Sequence, residues 1–259
     1  MGSIGGVANC NTELAGGGSE LTNGYHPATS MSVAAKPATG SERADWDRHW
    51  RSLRGERSTF GRLASLVRRS ILSHAVRHYA TAHFPPKGVF VEAGCGTGEA
   101  SRRVPVAGRT LIGLDLSLAV LLGARGRPYR AVVVGDLRNL PFRGESLAGV
   151  WNLGVLEHFT PSDGTSVLVE LRRVLVSRGI ALLFWPPRFG LSRLVLAPVE
   201  WIRTVFTGRR FTFFPDEVNR LRSAEHALAT LTAAGFDAVA VEMTPRDAFI
   251  HLVVVGRKP

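Results

Sequence analysis

Three acidic residues in the middle of the chain each follow a short apolar run: Glu92, Asp115 and Asp136. A carboxylate accepts hydrogen bonds through two oxygens, so it can bind a pair of sugar hydroxyls or the amino group of a base. The position of Asp115 suits the two hydroxyls of a ribose, and that of Asp136 suits the amino group of adenine. The alternative is that both aspartates merely cap the turns after them. Their recurrence at successive strand ends favours a nucleoside site.

The turn after Glu92 is rich in glycine. Gly94, Gly96 and Gly98 alternate with other residues, and at such positions the backbone can approach a ligand where any Cβ would collide. A dinucleotide-binding turn has the spacing Gly-x-Gly-x-x-Gly, which admits a pyrophosphate to a helix end. The spacing here is Gly-x-Gly-x-Gly and predicts a cofactor without phosphates. We also expect a helix to begin at Glu99.

Short apolar strands must position these residues. The runs at 89–93, 110–114 and 130–135 are bounded by turn residues and predict buried strands, and two further strands are expected at 236–243 and 249–255. Strands and helices alternate through this part of the chain, which predicts a mainly parallel sheet with helices on both faces. The three carboxylates are then expected around one cavity at the carboxyl ends of their strands.

In their order along the chain, these motifs resemble those of the class I S-adenosylmethionine-dependent methyltransferases. The resemblance covers roughly residues 87–258 and rests on five segments, at 92–98, 113–117, 135–142, 151–158 and 171–183. Many relatives carry Phe-Asp before the fourth strand, where this chain has Leu147 and Ala148. That position usually supports the sheet, so the departure is not assigned to function.

The resemblance implies a cofactor, S-adenosylmethionine, and a set of residues that bind it. These are Glu92, Ala93, Gly94, Gly96, Gly98, Asp115, Leu116, Asp136, Leu137, Asn152 and Leu153. Asp115 is implied for the ribose, Asp136 and the Leu137 backbone for adenine, and the last two residues for the methionine end.

Methyl transfer from a sulfonium is an in-line displacement, so positioning supplies most of the catalysis. A base is needed only when the acceptor must lose a proton. His158 follows the fourth strand and is the candidate base, with a role in forming the cavity wall as the alternative. His74 and His78 lie one helical turn apart, but no nearby cysteine or carboxylate completes a ligand set, so no metal site is predicted.

The resemblance predicts an α/β fold: a Rossmann-like, seven-stranded, mostly parallel sheet with helices on both faces, an antiparallel last strand and an N-terminal helical cap. Residues 1–40 are predicted to be a disordered tail, because they are dominated by small and polar residues. The helical cap is assigned to 41–86 and the methyltransferase domain to 87–259. Ordinary helix packing is the favoured role of the cap residues, and the alternative is that Trp46 or Trp50 closes over the cofactor.

The composition bounds the partners and the compartment. The chain of 259 residues has a formal net charge of +11, and only Lys36, Lys87 and Lys258 among its cations are lysines. Such a charge suits nucleic acid, acidic lipid headgroups or a phosphorylated metabolite, or else reflects a solvated arginine-rich surface. The two cysteines, Cys10 and Cys95, are not expected to form a disulfide, which favours a cytoplasmic location. No run is long and apolar enough to span a bilayer.

A lid-like insertion is predicted at 188–222, where apolar residues at helical spacing lie among arginines and aromatics. In this family, insertions after the fifth strand commonly form substrate lids. The segment favours a small-molecule or lipid-like acceptor and peripheral contact with a membrane surface. A dimer contact or a helix packed on the sheet is the competing explanation, and no oligomeric state is predicted.

The predicted function is methyl transfer to oxygen, nitrogen or carbon of a small, hydrophobic or amphipathic acceptor. Methylation of nucleic acid is disfavoured because the chain has no added RNA-binding module and no Asn-Pro-Pro-Tyr-like segment for a flipped base. A non-catalytic protein that binds the cofactor, or that supports an active partner, is the alternative from another class.

Overall fold

The computed structural model describes residues 38–55, 59–124, 128–209, 212 and 217–259. Its strands are β1 Gly88–Ala93, β2 Arg109–Asp115, β3 Ala131–Val134, β4 Leu147–Leu153, β5 Leu175–Trp185, β6 Asp237–Met243 and β7 Leu252–Arg257. They form one sheet in the order β3-β2-β1-β4-β5-β7-β6. Neighbours from β3 through β5 are parallel, whereas β7 is antiparallel to β5 and β6. The predicted fold class is confirmed.

Where the structure describes the chain, three helices precede the sheet, and four lie in the segments between its strands. They are α1 Gly40–Gly55, α2 Thr59–Val67, α3 Ser73–His83, α4 Leu118–Ala124, α5 Pro161–Val174, α6 Leu191–Thr207 and α7 Ala224–Ala233. A π-helical turn, Arg68–Leu72, joins α2 to α3. Among the described residues, no helix has the length and apolar content needed to cross a bilayer. Residues 1–37 of the predicted tail lie outside the described part of the chain.

The core has two layers, one on each face of the sheet. Successive residues of a strand point to opposite faces, so Phe90 and Val91 in β1 belong to different clusters. Val91 packs in the layer that contains α5 and α7, and Phe90 packs in the layer that contains α3. With both faces covered, the carboxyl ends of β1, β2 and β4 remain as the edge where residues can face a ligand.

Two of the predicted elements differ in the structure. Residues 99–103 form turns instead of a helix, with the Val104 N–H donating to the carbonyl of Ser101 just before Pro105. The last strand begins at Leu252, three residues later than expected, because Ala248 and Phe249 adopt left-handed φ angles of 58° and 56° that no strand accepts. A short turn therefore separates β6 from β7.

Candidate functional site

A cavity of about 590 Å³ opens at the carboxyl edge of the sheet. Its volume lies within the range of ordinary small-molecule sites. Glu92, Asp115 and Asp136 all line it, as do residues of α1 and α2. The three carboxylates thus surround one cavity, because the parallel strands that precede them end at the same edge. Their assignment to a cofactor stays a prediction.

The glycine turn forms the floor of this cavity. Gly94 and Gly96 have positive φ angles of 79° and 51°, a backbone conformation that residues other than glycine rarely adopt. A Cβ on Gly94 would lie 2.6 Å from Cγ2 of Val155, and one on Gly96 would lie 3.0 Å from the ring of Trp50. The turn is fixed to β2 because the N–H groups of Gly94 and Cys95 both donate to the carbonyl of Leu114.

Asp115 connects the end of β2 to the glycine turn. One of its oxygens accepts the Gly96 N–H and the other accepts the Ser117 N–H, each at 2.9 Å. Burial raises the pKa of the Asp115 carboxyl to about 6, although these backbone N–H groups oppose the shift. Each carboxylate oxygen has a second lone pair, so Asp115 can hold the turn and still accept hydroxyls from the cavity.

Glu92 is held beneath the turn by its own hydrogen bond. It is buried, and the hydroxyl of Tyr129 donates to its carboxyl group. Burial raises the pKa of Glu92 to about 7, a shift that the hydrogen bonds of Ser101 and Tyr129 oppose. Trp151 joins the same group through Nε1, which donates to Ser101 Oγ at 2.9 Å. This network supports the turn, and the sequence motif alone did not indicate Tyr129 or Ser101.

The carboxylate of Asp136 is bound by Arg138 and by the backbone of Ala38. The Nε of Arg138 lies 3.1 Å from both carboxylate oxygens, and the backbone N–H of Ala38 donates to one of them. Arg138 also forms an ion pair with Glu42 of α1 at 3.2 Å. The start of the described chain is thus bonded to the carboxylate that was predicted to bind adenine.

Helix α1 covers the cavity through its aromatic residues. Trp50 lies against Gly96, and Trp46 makes an edge-to-face contact with His158 at a centroid distance of 5.0 Å. Asp47 accepts a hydrogen bond from Ser117 Oγ. Both tryptophans therefore contact residues of the cavity, as the alternative to ordinary helix packing required.

The other predicted residues divide into two groups. Leu116, Leu137, Leu153 and His158 line the cavity together with the glycine turn. Ala93, Gly98 and Asn152 are not among the lining residues. The side chain of Asn152 is buried, and neither its amide oxygen nor its nitrogen has a hydrogen-bond partner.

Sequence reasoning did not assign several titratable groups of the cavity to the site, among them Glu157 and His251. Glu157 is buried without a partner for Oε2, and burial raises its pKa to about 8. His251 precedes β7 and contacts Asp247. The usable signal was the Asp-x-x-x-His spacing just before the last strand, which is too common to stand out on its own.

The residues present fit an adenosyl sulfonium. A buried carboxylate can accept the two ribose hydroxyls, the floor needs no side chain at Gly96, and Leu116 and Leu137 supply apolar contacts for a base. Asp115 and Asp136 would hold the nucleoside, and the bound group would supply an electrophilic methyl. Within the described ranges, no three His, Cys, Asp or Glu residues are grouped to hold a metal ion.

Comparisons with known proteins agree with this reading. Residues 91–183 match the family model described as "Methyltransferase domain". A protein of Encephalitozoon cuniculi (strain GB-M1), provisionally named a methyltransferase, is 31% identical over 109 residues, which is 42% of this chain and 50% of that protein. The chain thus spans about half the length of this curated relative.

Solved structures show the same fold. Magnesium protoporphyrin IX methyltransferase from Synechocystis PCC 6803, with bound SAH, aligns with a TM-score of 0.59 and 18% identity over 84% of this chain and 96% of that one. An S-adenosylmethionine-dependent methyltransferase of Thermotoga maritima aligns with a TM-score of 0.54 and 20% identity over 82% of this chain and 100% of its own. Residues 91–183 thus match the methyltransferase-domain family, and the chain shares the fold of these two methyltransferases.

Proposed function

We propose that the protein transfers the methyl group of S-adenosylmethionine, by in-line displacement, to a small hydrophobic or amphipathic acceptor. The observation that carries the proposal is the division of the cavity into two parts. The strand ends supply carboxylates and the glycine turn, whereas α2 and α6 supply apolar side chains, among them Leu63, Val67 and Leu196. A polar half suits a nucleoside, and the apolar half suits a hydrophobic acceptor.

The first experiment combines binding with product analysis. Calorimetry should detect S-adenosylmethionine binding, and incubation of the loaded protein with a lipid and metabolite extract should place labelled methyl in an organic-soluble product. Label confined to added RNA would favour nucleic-acid methylation. Binding without any labelled product would favour the non-catalytic alternative, and absence of binding would refute the proposal.

The exposed apolar side chains of helix α6 support the proposal that the acceptor is presented at a membrane surface. Leu194, Trp201 and Phe206 are 71%, 68% and 85% exposed, an arrangement that solvent alone does not favour. Arg188 and Arg209 are also exposed near the two ends of this helix. Because Leu196 of the same helix lines the cavity, apolar insertion into an anionic bilayer would bring the cavity close to lipid-like acceptors.

Vesicle binding tests this part of the proposal. The protein is expected to float with vesicles of phosphatidylcholine and phosphatidylglycerol, and a double variant, Trp201→Ser with Phe206→Ser, is expected to bind at least about tenfold less, since each ring loses apolar burial. Val239→Ser serves as the control because Val239 is an exposed apolar residue on β6. Equal binding by the double variant and the control would contradict membrane presentation through α6.

A further inference from the structure

The turn between β6 and β7 brings a histidine to the cavity. Because β7 runs antiparallel to β5, it begins at the edge where β5 ends, and Leu252 pairs with Trp185 at that end. His251 immediately precedes this pair, is only 5% exposed and lines the cavity. A second imidazole thus lines the same cavity as His158, although it is more than ninety residues further along the sequence.

Asp247 fixes the orientation of this imidazole. Its carboxylate Oδ2 accepts the His251 backbone N–H at 2.8 Å and lies 3.1 Å from Nδ1 of the ring. Asp247 is fully buried. A carboxylate beside Nδ1 favours the tautomer that carries its proton on Nδ1, so Nε2 keeps its lone pair.

The backbone between these two residues is strained. Ala248 and Phe249 have φ angles of 58° and 56°, and residues other than glycine adopt such left-handed conformations only at a cost in free energy. The turn is held by N–H groups of both residues, which donate to the carbonyls of Pro245 and Thr244. Strain that the fold maintains at a cavity is a common property of functional sites.

The other side of the ring faces Gly154, which follows β4. A Cβ built on Gly154 would lie 4.0 Å from Nε2 of His251 and 3.2 Å from Oε1 of Glu157. Oε2 of Glu157 is buried and has no hydrogen-bond partner among the described residues. Two polar groups therefore flank one point at the end of β4, where Leu153 was predicted to contact the methionine end of the cofactor.

We propose that His251 is the general base of the methyl transfer, that Asp247 is its positioning residue, and that the acceptor is a hydroxyl compound that loses its proton on methylation. This inference rests on the proposed function. As the acceptor oxygen bonds to the methyl carbon, the carbon–sulfur bond breaks and its electron pair stays on sulfur. The acceptor proton passes to Nε2, and the imidazolium then releases it to solvent.

The surroundings of His158 suit a different role. Its Nε2 is 3.9 Å from Oε1 of Glu157. Its ring packs edge-to-face on Trp46 of the covering helix. His158 thus forms part of the wall beneath α1, which agrees with the alternative given for it from sequence.

The tautomer of His251 provides a readout that does not depend on turnover. Nitrogen-15 spectra of the protein with S-adenosylhomocysteine should show the neutral imidazole of His251 as the tautomer that carries its proton on Nδ1. Asp247→Asn should shift the proton towards Nε2, because the amide can donate to Nδ1. A wild-type proton on Nε2, or a tautomer unaffected by Asp247→Asn, would overturn the positioning role.

Activity is measured on two probe acceptors, 4-hexylphenol and 4-hexylbenzoate, which carry the same hexylphenyl group and differ in the group that is methylated. Only the phenol must lose a proton near neutral pH. His251→Gln is expected to lower kcat/KM for the phenol by about 10²- to 10⁴-fold, and to change that for the benzoate less than about threefold. Asp247→Asn should lower the phenol value at least tenfold. The comparison variant His158→Gln should change both acceptors by the same factor.

The outcomes separate this inference from the function on which it rests. Failure to bind S-adenosylmethionine would remove the proposed function itself. Binding accompanied by transfer to the benzoate alone, or by no transfer to the phenol, would overturn the assignment to hydroxyl acceptors. Equal losses on both acceptors in His251→Gln, with an unchanged melting temperature, would overturn the base.

Discussion

Replacing Asp115 with asparagine is expected to weaken S-adenosylmethionine binding by about 100-fold or more. A hydrogen bond to a charged group contributes about 1.5–3 kcal/mol, and the carboxylate is predicted to accept two from the ribose. The same side chain accepts the N–H groups of Gly96 and Ser117. An amide has one oxygen and a donating NH₂ group, so Asp115→Asn loses ribose binding and disturbs the turn together.

Calorimetric titration of Asp115→Asn beside Asp237→Asn measures this effect. Asp237 is exposed at the start of β6 and lies outside the cavity lining, so its variant should keep wild-type affinity. Melting temperatures of all three proteins control for folding. Unchanged affinity in Asp115→Asn would mean that this carboxylate only caps the turn, which is the alternative that the sequence leaves open.

Stability is expected to fall between about pH 5 and 8.5 because of Glu157. Burial raises the pKa of this carboxyl from 4.5 to about 8, so the folded state holds a proton that the unfolded state releases. Below pH 4.5 the group is protonated in both states and its stabilisation is complete. As the pH rises to 8, the stabilisation is lost at about 1.4 kcal/mol per unit.

Glu157→Gln removes this titration while it keeps the shape of the side chain. The difference in free energy of unfolding between pH 5 and 8.5, measured with urea, should shrink by about 2–5 kcal/mol relative to wild type. Asp115 and Glu92 also have raised pKa values, and they leave a residual slope of the same sign. The exposed Glu145 gives the control variant Glu145→Gln, and equal slopes in both variants would contradict the assignment.

The gathering of Glu92, Asp115 and Asp136 could be predicted because it depends on topology. Each follows a strand, the strands are parallel, and parallel strands place their carboxyl ends at one edge. The glycine turn could also be predicted, since the positive φ angles at Gly94 and Gly96 depend on the local sequence. Such features can be predicted from neighbouring residues and from the order of the strands along the chain.

The hydrogen-bond partner of Glu92 and the position of His251 in the cavity could not be predicted in the same way. Glu92 accepts a hydrogen bond from the hydroxyl of Tyr129, which is 37 residues away in the sequence, and no local sequence pattern indicates this contact. His251 reaches the cavity only because β7 reverses direction after a turn with two left-handed residues that are not glycine. The helix expected at Glu99 is absent because the segment is closed by turns before Pro105.

The position of α1 has a kinetic consequence. Ala38 and Arg138 already occupy the carboxylate of Asp136, and Trp50 lies over Gly96. A nucleoside that binds Asp136 as predicted would have to displace these contacts, so displacement of the helix is expected to act as a first-order gate before loading. The association rate, followed by tryptophan fluorescence in stopped flow, should therefore level off at high ligand concentration, and Glu42→Gln should raise that plateau because it removes an ion pair that keeps the gate shut. A rate that keeps rising linearly in both proteins would show that the helix does not limit access.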